Sequence, residues 1–179
     1  MRFDRVKLKR LIHYVAWKAG KRDWFGATKL YKVLWFADAR QYIRTGAPIT
    51  GETYIREKYG PIPKHGLEIR KELQREHITT EFDIKARGRG DLTRIVAEIG
   101  PGLSVFSRDE LDTVDWWIEH IDKDHTAKSI SEKSHDYVWE IAKMGEELPY
   151  YALRVARIQE PTEEDMVRLR QRAKELGLG

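Results

Sequence analysis

Apolar residues recur at helical spacing from the start of the chain. Leu8, Leu11, Ile12, Val15, Ala16 and Ala19 fall on one face, Asp4 stands where an N-cap belongs, and Gly20 follows as a stop. These positions predict a first helix from about residue 5 to Ala19. A second helix is expected from about Ala27 to Arg44. Its first half is apolar almost all round, with Leu30, Tyr31, Val33, Leu34, Trp35, Phe36 and Ala37 interrupted only by Lys32, the pattern of a central helix covered on several sides. Asp38 lies one residue beyond that run. Buried there, its carboxylate needs a partner: a tyrosine hydroxyl, an arginine or backbone amides.

Gly46 and Pro48 end the second helix, and ITGETYIREKYGPIPKHG, residues 49–66, follows. Gly60 and Ile62 each precede a proline, which predicts extended backbone and a stiff loop shaped by Gly60, Pro61 and Pro63. Tyr54, Arg56, Lys58 and Tyr59 are the expected exposed participants in recognition, because aromatic and arginine side chains bury much area for little lost entropy. Asp38 is expected to anchor the loop from behind. The alternative is that Tyr54 and Tyr59 plug the space between helices.

GLEIRKELQREH, from residue 66, reads as a third helix, with Ile62, Gly66, Ile69 and Leu73 as its seam. ITTEFDI and DLTRIVAEI read as two strands joined by KARGRG in a hairpin. Ser107 and Glu110 form a capping box ahead of a helix whose stripe is Leu111, Val114, Ile118 and Ile121, flanked by Trp117. A short helix starts near Thr126, and a charged one opens at Thr162 to Asp165 after Pro161. The fold expected is α+β: one predominantly helical domain over residues 1–179 with a small antiparallel β-hairpin or sheet.

Composition narrows the chemistry. The 179 residues suffice for a core without staples. The absence of cysteine excludes thiolate catalysis, Cys-ligated zinc and iron–sulfur clusters, and fits a reducing compartment. No run reaches the ~18 apolar residues of a membrane helix, so a cytoplasmic protein is expected. The net charge of +4 hides a polarity along the chain: residues 1–50 hold 12 Lys/Arg against 3 Asp/Glu, and residues 101–150 hold 5 against 12. Either the two segments pack together and their fields cancel, or a charged face awaits a partner.

Candidate catalytic and metal patterns are weak. EHIDKDH offers Glu119, His120, Asp122, Asp124 and His125, but the two histidines are five apart and cannot share a helix face while the helix continues, so no metal site is expected. The consecutive side chains of Ser134, His135 and Asp136 diverge and form no relay. No phosphate-binding glycine loop or dinucleotide fingerprint is present, and no cofactor is expected. Lys85, Arg87, Arg89 and Arg94 could touch phosphates, which keeps a nucleic-acid-binding regulator as a rival reading, although no helix-turn-helix is recognisable. A hydrolase using His65 or His135 as base is the weakest alternative.

TKLYKVLWFADARQYIRTGAPITGETYIREKYGPIPKH, residues 28–65, resembles the signature of the Panacea domain, the SocA-like antitoxin family, in which a TKLxKLLYFAD helix leads through G.PITG..Y...KYGP.P into another helix. SHDYVWEIAKMGEELPYYAL, residues 134–153, is similar to that family's SHD..W..A..GE.IPY segment. With compatible spacing between them, the two matches cover nearly the whole chain. Trp35 stands where the family often has Tyr, and Tyr31 where Leu or Gln is common. The resemblance implies a non-enzymatic antitoxin of a bacterial or phage toxin–antitoxin system that neutralises a toxin protein by binding it, the toxin being encoded by the adjacent gene. The matching helix begins near residue 4, leaving no room ahead of it for the DNA-binding domain some relatives carry, so operator binding is not expected. An adaptor that delivers its partner to a protease remains an alternative.

Overall fold

The structure is a computed structural model that describes residues 2–85 and 91–155. Two long helices, α1 (Arg5–Ala19) and α2 (Ala27–Thr45), are followed by the two-residue strands β1 (Tyr54–Ile55) and β2 (Ile62–Pro63) and by α3 (Gly66–Arg75). Then come the hairpin strands β3 (Thr80–Ile84) and β4 (Leu92–Val96), α4 (Arg108–Asp124), α5 (Ala127–Lys133), α6 (Tyr137–Ile141), β5 (Glu147–Leu148) and α7 (Tyr150–Val155). This is a mainly helical α+β fold. None of the described helices is long and apolar enough to cross a membrane.

The caps read from the sequence are in place. Asp4 accepts from the Lys7 amide, Ser107 and Glu110 form a reciprocal box at α4, and Thr126 opens α5. α2 is the central element. Its Leu30, Val33, Leu34, Trp35 and Ala37 are fully enclosed, packed by α1, α4, α5 and α7. β3 and β4 pair antiparallel from Thr80 opposite Val96 to Ile84 opposite Leu92, a shorter ladder than the apolar pattern suggests. Arg87, Arg89 and the helix expected after Pro161 lie outside the described residues.

The charge polarity resolves into contacts. Lys7 pairs with Glu110 at 2.6 Å, Lys18 with Asp115, Arg22 with Glu119 and Asp122, and Arg44 with Asp109, so the basic first helices lie against acidic α4. α1 also pairs with α3 through Arg5 and Lys9 to Glu72. Most of these pairs are partly exposed and individually contribute little to stability. Their effect is to spend the positive field of residues 1–50 inside the fold.

Three expectations for residues 49–66 need correction. The segment is more than a loop: β1 pairs with β2 and, on its other side, with β5, in a three-stranded antiparallel sheet of order β2-β1-β5. Ile62 lies in β2, not on the seam of α3, whose buried residues are Gly66, Ile69, Arg70 and Leu73. Gly60 has a left-handed φ of +88°; without a Cβ it escapes the extended preference that a following proline imposes on other residues.

Asp38 ties this sheet to α2. Fully buried, its carboxylate accepts from the Thr50 amide (2.8 Å), the Thr50 hydroxyl (2.6 Å) and the Tyr54 hydroxyl (2.9 Å). Burial nevertheless raises its pKa to about 6. The folded state therefore holds this proton more tightly than the unfolded chain between about pH 4 and 6, and Asp38's contribution to stability declines as pH rises through that window. Asp38→Ala is expected to flatten this slope and, by orphaning three donors, to destabilise the fold by about 3 kcal/mol at pH 7.5; denaturant melts at pH 4.5, 6 and 7.5 check both effects.

Candidate functional site

The segments that resemble family signatures at residues 28–65 and 134–153 meet around β1. The Arg56 amide donates to Glu146 O at 2.8 Å and the Gly145 amide returns to Arg56 O at 2.9 Å, extending the β1–β5 pairing. The Arg56 guanidinium donates to Ala142 O and lies 4.0 Å from the ring centroid of Trp139. His135 stacks on the same indole at 3.7 Å, with the rings 9° apart. Two groups that close to one centroid must occupy opposite faces, so Trp139 is sandwiched between Arg56 and His135. Its Nε1–H donates to Glu57 O at 3.1 Å.

Glu57 begins a tight turn, closed by the Gly60 amide donating back to Glu57 O at 2.9 Å. Lys58 and Tyr59 sit at its tip. Tyr59 is 65% exposed, and the Lys58 ammonium lies 5.4 Å from its ring centroid. Beneath the turn is Lys32, only 1% exposed, whose Nζ donates to Pro61 O at 2.9 Å and forms no ion pair among the described residues. Burial lowers its pKa to about 7. A Cβ on Gly60 would lie 2.7 Å from the Lys32 Nζ and closer still to Ser134 Oγ, so only glycine lets the turn close over them.

Of the residues singled out from sequence, Arg56, Lys58, Tyr59, Gly60, Pro61 and Pro63 converge on this turn and its base. Tyr54 does not join them at the surface. It is completely buried, edge-on to Trp35 at 5.0 Å with its hydroxyl on Asp38, because strand alternation turns it inward. Tyr54 fills the space between elements; Tyr59 does not. Arg56 is half-buried, engaged with Trp139 rather than free.

Lys32 and the outward residues of α6 escaped the sequence reading. Tyr137 (55% exposed) and Ile141 (58%) are one turn apart on α6, and Met144 (59%) follows beside the Arg56–Gly145 pairing. Tyr59 is exposed on the turn, and these three are exposed on and after α6, on the two joined segments. A lysine inside an apolar run is the signal that could have identified Lys32.

The catalytic candidates separate. Ser134 is buried and donates to Ser131 O, His135 stacks on Trp139, and Asp136 caps α6 through the Trp139 amide. His65 is held by Glu52 at 3.0 Å and stacked on Phe3. α4 ends at Asp124, so the rings of His120 and His125 come within 5.2 Å, with the Lys133 ammonium 3.3 and 3.5 Å from their Nε2 atoms. No group of three or more His, Cys, Asp or Glu side chains among the described residues could hold a metal ion. Of the phosphate-binding candidates, Lys85 is exposed and Arg94 lies 3.9 Å from Asp23.

Gly60→Ala is expected to destabilise the protein by about 1–3 kcal/mol, since it adds left-handed strain to the clash at Ser134 and Lys32. Thermal melts measure the loss, and faster amide exchange confined to residues 56–61 would place it in the turn.

A family model described as antitoxin SocA-like, Panacea domain, matches residues 30–140, a span that takes in most of α2, the β1–β2 turn and Trp139. No curated protein and no solved structure matches the chain. With well over half of its length matched, the chain belongs to the SocA-like antitoxin, Panacea-domain family.

Proposed function

We propose that this protein neutralises a cognate toxin protein by direct binding, and that the surface of Tyr59, Tyr137, Ile141 and Met144, with Lys58 at its edge, is where the toxin docks. Family membership supports an antitoxin role. The observation that carries the docking site is the clasp at Trp139: two distant stretches of chain are joined by backbone pairing and a stacked sandwich, and each of them carries large apolar side chains that remain exposed, Tyr59 on one and Tyr137, Ile141 and Met144 on the other. An ordered, aromatic-rich surface of this kind loses little entropy on association. A standard interface of about 1,200–2,000 Å² would extend beyond these four residues onto their polar surroundings.

Inhibition by this route needs no chemistry from the antitoxin. Covering an active site or holding an inactive conformation of the toxin is sufficient. The nucleic-acid reading is less well supported, because the basic residues of α1 and α2 are largely neutralised by α4 and α3.

Co-expression with the product of the adjacent gene tests the proposal: that product is expected to be toxic alone, harmless together with this protein, and to co-purify with it. Tyr59→Ala and Ile141→Asp are each expected to weaken the complex by about 2 kcal/mol or more, roughly thirtyfold in Kd, with thermal stability unchanged. A neighbour that is neither toxic nor retained, or a complex indifferent to both substitutions, would overturn the toxin reading or the docking surface respectively.

A further inference from the structure

The turn that carries Lys58 and Tyr59 is held by groups that are positive or become so. Lys32 of α2 supports it from beneath through Pro61 O, and Arg56 and His135 grip Trp139, which holds Glu57 O. β2, packed on α2 here, brings no charge; α5 contributes Glu132, and the α5–α6 junction contributes His135 and Asp136. None of Lys32, Arg56 and His135 has an ion-pair partner among the described residues, and Arg56 Nε and His135 Nε2 are buried without a hydrogen-bond partner.

We infer that proton uptake at Lys32 and His135 loosens the Glu57–Gly60 turn, so that the docking surface is assembled at neutral and alkaline pH and comes apart on mild acidification. This deepens the toxin-docking reading and rests on it. In the closed turn the Lys32 ammonium has one carbonyl acceptor; opening the turn hydrates it, so a proton there favours the open state. A proton on His135 puts a second cation across Trp139 from Arg56. Burial, with Lys32 and Arg56 nearby, lowers the pKa of His135, and Glu132 and Asp136 only partly offset this. Burial also raises the pKa of Asp136.

The sign follows from linkage. The closed turn binds protons less tightly than the open one, so closure strengthens as pH rises. If opening returns Lys32 from about 7 to the ordinary lysine value, the opening equilibrium increases about tenfold between pH 8 and pH 6.

Native-state amide exchange on the full chain, corrected for the intrinsic effect of pH, tests this at Gly60, whose amide is bonded to Glu57 O. Wild type is expected to lose about tenfold in Gly60 protection from pH 8 to 6, beyond any change at Ile12 in the core. The double variant Lys32→Met, His135→Phe keeps the stacking and the side-chain volume without titrating, and is expected to be flat; circular dichroism establishes that it is folded. A flat wild type, or a double variant with the wild-type slope, overturns the gate. Affinity for the adjacent-gene product, measured over the same range, should weaken in parallel. An open turn at pH 6 with unchanged affinity overturns control of docking by the gate, whereas a working gate with no binding at any pH overturns the docking reading alone.

Discussion

A buried carboxylate organises this molecule. Asp38 sits on the most enclosed helix, where an unsatisfied charge would be prohibitive, and the chain leaving α2 doubles back so that Thr50 and Tyr54 can donate to it. That return places Tyr54 against Trp35 and fixes the start of β1. β1 then has two edges, one taken by β2 and the other by β5 from ninety residues later. Tyr150 closes the arrangement, its hydroxyl on Glu52 O and its ring against Trp35 and Tyr54. One polar requirement on α2 thus decides where both halves of the chain meet.

The electrostatic asymmetry of the chain serves assembly. Positive α1 and α2 lie against negative α4, paired at Lys7–Glu110 and Lys18–Asp115 from α1, Arg22–Glu119 from the turn that follows it and Arg44–Asp109 from α2. Each pair is weak in water, but the pattern as a whole disfavours other packings of the same helices, in which like charges would face one another. Much of the positive field of the first fifty residues is thereby met within the fold.

Long elements were legible because they repeat. α1, α2 and α4 each display several turns of apolar spacing, and Asp4, Ser107 and Thr126 cap their helices through backbone amides as their positions imply. The hairpin of β3 and β4 was visible for the same reason. The central sheet was not: two residues are too few to show a readable alternation along the sequence, and β5 acquires its strand character only by pairing with β1. α6 and α7, at five and six residues, also fall below a readable period. Within the site, Gly60, Pro61 and Pro63 lie in and beside the turn, but exposure did not follow from residue type. Tyr54 and Tyr59 look alike in sequence; strand register buries one, and the turn lifts the other into solvent. Lys32 was hidden by the assumption that lysine interrupts a buried face, whereas here a single carbonyl accepts its ammonium inside the protein.

The turn is fastened almost wholly through main-chain oxygens: Pro61 O to Lys32, Glu57 O to Trp139 and to the Gly60 amide, and Ala142 O to Arg56. None of these fasteners consults the side chains at positions 58 and 59. Replacing either side chain therefore leaves every one of these fastenings in place. What the tip displays to solvent is thus uncoupled from what keeps the frame beneath it in shape.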